Sequence, residues 1–224
     1  MNLEKERRIR PPGKELFLIE RGILKDLLYD EEEIMIPEDC QEIGTAAFLN
    51  NLYIEKAIIP ASTHTIADAA FSGCMYLNRI ILQAGLRKIG QDAFYLSGLK
   101  WISLPDTLEE LGQGCFQDTN LTSVKIPGGI GVIPEDAFAD NSSLETVWLH
   151  EGICQIKSGA FKNCGALKEV YCPASLTDIA ADAFAGSHVM CVTAPGKWLI
   201  YRQDLVDKIM WKFKKEDRDL RTYY

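Results

Sequence analysis

The chain has 224 residues, 47% hydrophobic and 25% charged, a composition suited to one globular domain with a sizeable core. Its net charge is −8, but residues 11–204 carry 14 basic and 26 acidic groups, so the body stands at −12 and repels phosphate backbones, which excludes nucleic-acid binding there. No stretch approaches the ~18 uninterrupted apolar residues of a membrane span.

Residues 1–13 are charged, carry Pro11-Pro12-Gly13 and contain no apolar signal-peptide core, which points to a cytoplasmic protein. Little fixed structure is expected there unless something docks them. Residues 14–35 hold Leu16–Ile19 and Ile23–Leu28 joined through Glu20-Arg21-Gly22, a short hairpin suited to covering the first coil of a repeat array.

From 36 to 195 the chain repeats itself. Seven times an Ile or Leu is followed five residues later by Phe, at a period of 22 or 23: Ile43/Phe48, Ile66/Phe71, Ile89/Phe94, Leu111/Phe116, Ile133/Phe138, Ile156/Phe161 and Ile179/Phe184. Such self-similarity marks a solenoid, in which each repeat buries its apolar face on its neighbours. Seven residues before each pair lies another apolar column (Ile36, Ile59, Leu82, Leu104, Ile126, Leu149, Cys172), usually followed by Pro. Segments such as Leu99–Leu104 alternate like strands, and the proline ends each one because it has no N–H for the ladder. Stacked at ~4.8 Å, seven coils make a rod on the order of 35 Å long. Small polar residues or Cys stand three residues after each Phe (Asn51, Cys74, Ser97, Thr119, Asn141, Cys164, Ser187), placed to satisfy backbone groups in a tight connection.

After Pro195-Gly196 the pattern changes. Trp198, Tyr201, Leu205, Ile209 and Phe213 recur at steps of three and four, which predicts a helix within 196–224. It would cap the last coil, or offer a face to a partner or a second copy.

The run Ile-Gly-x-x-Ala-Phe-x-x-Cys/Asn/Ser-x-x-Leu, seen at Ile43-Gly44 to Phe48, at Ile89-Gly90 to Phe94 and in Gly73-Cys74 leading to Leu77, resembles the BspA-like leucine-rich repeat. The resemblance covers Ile34 to Pro195, with Cys172 and Ala194 where Leu is usual. It implies a curved right-handed solenoid with a parallel sheet on its concave face. It also implies a role in binding host or matrix proteins, and the alternative that this chain is a domain of a bacterial or protozoan cell-surface protein. The expected fold is thus an α/β-type leucine-rich-repeat solenoid with a hairpin cap and a C-terminal helix.

No catalytic constellation emerges. His64, His150 and His188 lack metal-ligand spacing, no C-x-x-C exists, and no phosphate-loop or nucleophile-elbow motif is present. Gly128-Gly129-Ile130-Gly131 reads as turn glycines, and the cysteines as reduced core thiols. No enzyme activity and no cofactor or metal are expected.

The outward strand positions are those the repeat does not dictate. One column reads Ile58, Ile81, Ser103, Lys125, Trp148, Tyr171, Thr193; the next reads Lys56, Arg79, Trp101, Ser123, Thr146, Glu169, Cys191. Trp101, Trp148 and Tyr171, with Ile58, Ile81, Lys125 and Arg79, are candidate contacts for a partner protein. The alternatives are ladder packing, burial under the chain's own end, or aromatic stacking on a glycan. The chain is expected as a monomer or weak homodimer.

Overall fold

The computed structural model describes residues 7–189, 191–194 and 197–199. The chain winds as a β-solenoid, and every coil has three walls. The first wall is a strand of three or four residues whose alternate side chains point inward. It comprises β3 (Glu33–Met35), β5 (Lys56–Ile59), β7 (Arg79–Leu82), β10 (Ser123–Ile126), β12 (Thr146–Leu149), β14 (Glu169–Tyr171) and β16 (Cys191–Ala194). Within the two runs β3-β5-β7 and β10-β12-β14-β16 they pair in parallel with the equivalent residue one coil on, as in Lys56 with Arg79 and Ser123 with Thr146. After a corner the second wall begins, a two-residue strand: β4 (Glu42–Ile43), β6 (Thr65–Ile66), β8 (Lys88–Ile89), β9 (Glu110–Leu111), β11 (Val132–Ile133), β13 (Gln155–Ile156) and β15 (Asp178–Ile179).

The third wall carries the phenylalanines. Their rings form one continuous stack from Phe48 to Phe184, with centroids 4.7 to 5.4 Å apart and planes within 17°. This wall turns continuously yet is not helical, and the reason is in its backbone. Residues two before and two after the Phe lie in the left-handed region, at Ala46, Ala69, Asp92 and Asp136 on one side and Asn50, Leu96, Asp118, Asp140 and Asn163 on the other. Glycine serves both columns as well, at Gly114 and Gly159 and at Gly73 and Gly186. A left-handed residue cannot continue a right-handed helix, so the N–H groups alternate in direction. Those of Ala47, Leu49 and Asn51 close turns onto Gly44, Ala46 and Phe48, whereas those of Ala46, Phe48 and Asn50 donate to Asp68, Ala70 and Ser72 of the next coil.

This corrects the α/β expectation: among the described residues there is no α-helix, only a 3₁₀ turn at Gly128–Ile130. Where the helical pattern begins, β17 (Lys197–Leu199) instead runs antiparallel to β16. The rest of that expected helix, from residue 200 onward, lies outside the described residues. No described helix is long and apolar enough to cross a membrane.

At the other end β1 (Phe17–Glu20) and β2 (Ile23–Leu27) form an antiparallel hairpin, and β2 pairs in parallel with β4, seating Leu24 and Leu27 in the core. Residues ahead of the hairpin are tied down by Asp30, which is buried. Its carboxylate accepts from the Arg8 backbone N–H at 2.6 Å and from the Arg8 guanidinium at 3.0 Å, while the Asp30 N–H donates to the Arg8 carbonyl.

The small polar column lies inside. Cys74 Sγ donates to the Phe48 carbonyl, Cys164 Sγ to Phe138 and Ser187 Oγ to Phe161, each reaching the preceding coil. Asn141 does the most. Its amide Nδ2 donates to the Phe116 and Phe138 carbonyls at 2.7 and 2.9 Å, and its Oδ1 accepts from the Thr119 N–H at 3.0 Å and from the Thr119 hydroxyl.

Both sheets break at one place. The first-wall ladder runs β3-β5-β7, touches Trp101 through a single bridge to Arg79, and restarts as β10-β12-β14-β16-β17; the second-wall ladder ends at β9 and restarts at β11. The coil holding Trp101 and β9 therefore has no strand pairing to the coil holding β10 and β11. Between them run the Thr122 N–H to the Lys100 carbonyl, the third-wall bonds of Gly114, Phe116 and Asp118, and the Asn141 amide. The core stays closed across this seam: Ile102 and Leu104 are each 8% exposed, as is Cys172 farther along the rod, and Val124 and Ile126 are covered.

Candidate functional site

The outer surface of the first wall is set by the alternation that buries Ala57, Ile80, Val124, Val147 and Val170. Their neighbours point to solvent, in the two columns expected. The side chains are not independent of one another. The Arg79 guanidinium lies 5.0 Å from the Trp101 ring centroid, Lys125 Nζ lies 5.6 Å from that of Trp148, and Trp148 stacks on Tyr171 at 5.7 Å with planes 6° apart. The Tyr171 hydroxyl donates to Glu169 Oε2 at 2.9 Å. Each cation–ring contact contributes roughly 0.5–1 kcal/mol at an exposed site.

Trp101, Lys125 and Trp148 meet around a shallow depression of about 430 Å³, within the span of about 300–1,000 Å³ typical of ligand sites. It opens over the seam between coils, and Ser103, Ser123, Asp106 and His150 are the other polar residues of its lining. Arg79 stands on the outer side of Trp101, and Tyr171 lies behind Trp148. Ile58 and Ile81 are half-buried cross-strand neighbours farther down the rod, outside the depression. Trp101 is 46% exposed and Tyr171 37%. Neither Arg79 nor Lys125 has a carboxylate partner among the described residues, whereas Lys56 is paired with Glu33 at 2.9 Å.

Asp106 and His150 were missed as candidates because they lie past the strand ends, in and after the column that is usually proline. The signal was present: His150 replaces proline directly after Leu149. A second depression, about 320 Å³, lies where Arg8 and Asp30 meet the first Phe turn, and belongs to the N-terminal cap.

Burial pushes the Cys74, Cys164 and Cys172 thiols up to about 12 and raises those of Cys40 and Cys115, so none is a ready nucleophile at neutral pH. Among the described residues no cluster of three or more His, Cys, Asp and Glu is placed to hold a metal ion.

Six copies of the BspA type Leucine rich repeat region match residues 29–100 and 64–190. Among solved structures, the leucine-rich-repeat protein TpLRR of T. pallidum is 28% identical, with a TM-score of 0.65 over 70% of this chain and 77% of that one. A leucine-rich repeat protein from Bacteroides ovatus is 26% identical, with a TM-score of 0.60 over 77% of this chain and 55% of that one. The pneumococcal vaccine antigen PcpA is 22% identical, with a TM-score of 0.60 over 76% and 49%, so the chain spans about half the length of these last two. No curated protein matches the chain.

Proposed function

The chain belongs to the BspA-type leucine-rich-repeat family, and from that premise we propose that it is a non-catalytic protein-binding module whose working surface is the outer face of the first wall. Repeat proteins of this kind serve as interaction and structural modules, and a rigid sheet gives them a preformed contact face at little ordering cost. The observation that carries the reading is the row Arg79, Trp101, Lys125, Trp148 and Tyr171 around one depression. Large aromatics and arginine are the residue types that anchor protein interfaces. Ladder packing accounts for the Trp148–Tyr171 contact, but it leaves Trp101 nearly half exposed with no aromatic neighbour among the described residues.

The test compares the wild-type chain with Trp101→Ala/Trp148→Ala as baits. Proteins captured by the first and lost by the second, and then shown to bind when purified, support the reading. An unchanged set with an unchanged circular dichroism spectrum rejects this face. Retention on a glycan array that the double variant loses would move the face to carbohydrate recognition.

A further inference from the structure

Taking that reading as its basis, we infer that the partner enters as a short extended acidic segment: an aromatic or prolyl ring seated against Trp101, flanked by two carboxylates that reach Arg79 and Lys125. Trp101 carries Arg79 on one face, toward the preceding coil. Toward the following coil its column neighbour is Ser123, too short to cover an indole, so the second face opens onto the depression. A ring stacked there lies between two cations that no carboxylate of the described chain neutralises. Charged groups left on a desolvating surface need a partner of opposite sign when an interface closes over them.

The spacing defines the segment. Arg79 and Lys125 stand two coils apart, roughly 10 Å along the rod, and two residues apart along the strand, roughly 7 Å, so about 12 Å separates them; at ~3.3 Å per residue the two acids fall about three or four positions apart with the ring between them. The surroundings define its length. The body carries −12 and Asp106 sits at the rim, which disfavours a long polyanion such as a nucleic acid or a polyuronate. Charges beyond about 8–10 Å are largely screened at physiological salt, so a local pair of carboxylates still meets two cations that have no ion-pair partner among the described residues.

The experiment is selection of a random linear peptide library on the full chain, followed by fluorescence anisotropy of synthetic winners on Arg79→Gln, Lys125→Gln, Trp101→Ala and Trp148→Ala, each checked for unchanged melting. The expected winners carry two acids about three or four residues apart around Tyr, Phe, Trp or Pro, and lose affinity about tenfold with either cation variant. Winners without carboxylates that depend on Trp101 or Trp148 overturn the acidic partner and leave the binding face standing. Winners indifferent to all four variants overturn both. A failure to enrich any peptide, or displacement of the winners by a polyuronate at low concentration, overturns the peptide assignment alone.

Discussion

Replacing Asn141 and Ser97 by Ala, one at a time, asks whether the polar column inside the solenoid holds coils together through hydrogen bonds or only fills space. The two residues occupy the same position of the repeat, and both are buried. Asn141 uses both donors and both acceptor sites of its amide. Its removal leaves the buried Thr119 N–H and the Phe116 carbonyl without that partner, whereas Phe138 keeps the Cys164 thiol and the Thr119 hydroxyl can rotate. At about 1–3 kcal/mol for each buried group left unsatisfied, Asn141→Ala should cost about 4 kcal/mol. Ser97 Oγ is buried with no hydrogen-bond partner among the described residues. Ser97→Ala removes an unpaired hydroxyl and should be neutral, or stabilising by up to about 1 kcal/mol. Urea unfolding followed by far-UV circular dichroism reads both. A cost below about 1 kcal/mol for Asn141→Ala, or equal costs for the two variants, would refute the argument.

Phe138→Ala opens a cavity in the ring stack and should cost ~3–5 kcal/mol; Phe48→Ala, with one stacked neighbour in place of two, should cost about 1 kcal/mol less, and equal values would discount the stacking. Leu96 holds φ 55° with 39% of its surface exposed, so Leu96→Gly removes a strain of ~1–2 kcal/mol but loses ~0.4–1 kcal/mol to unfolded-state entropy and roughly 1–2 kcal/mol of side-chain burial, and should leave stability unchanged or lower it by about 1 kcal/mol in the same urea assay. The Cys74, Cys164 and Cys172 pKa values rise from 9.0 to about 12 on burial. Between those values the unfolded chain has lost protons that the folded one keeps, so stability is full below pH 9 and falls as pH rises, by up to about 1.4 kcal/mol per pH unit per thiol; a triple Cys→Ala variant should lose urea resistance less steeply over that window. Finally, peptides covering 101–111 and 123–133 should exchange amide hydrogens faster than those covering 56–66 and 146–156, although they lie mid-rod; equal protection would mean the seam is bonded like any other coil junction.

The period of 22 or 23, the inward columns and the parallel stacking were legible because a solenoid writes its core into the sequence once per coil, and Phe48 through Phe184 report the same environment seven times. The left-handed positions were written there too, as Ala46, Ala69, Asp92, Gly114, Asp136 and Gly159 in one column and Asn50, Gly73, Leu96, Asp118, Asp140 and Asn163 in the other. Ala and Leu in those columns hid the conformation that Asn, Asp and Gly announce. The helical period after residue 196 misled at its start: a three-and-four spacing reports only which side chains could share a face, whereas Lys197–Leu199 lie beside the free edge of β16, whose unpaired N–H and C=O groups favour another strand.

The seam had the faintest signature. Its two coils follow consecutive loops that are one residue shorter after the Phe, from Phe94 to Leu99 and from Phe116 to Leu121, a difference that reads from sequence as harmless length variation; the same shortening from Phe184 to Val189 leaves the pairing of β14 with β16 intact. In the folded chain the first shortened loop brings Gly98 so close to the preceding coil that an added Cβ would stand 2.2 Å from the Met75 carbonyl oxygen. The strand pairing that this tight entry feeds is the one that fails after Arg79–Trp101. The same coil then presents Trp101 and Ser103 at the edge of the depression. The candidate site thus sits where the repeat is least regular: equal coils would align the outward columns into an even sheet, and the interrupted ladder leaves room between Trp101 and Trp148 for something other than this chain.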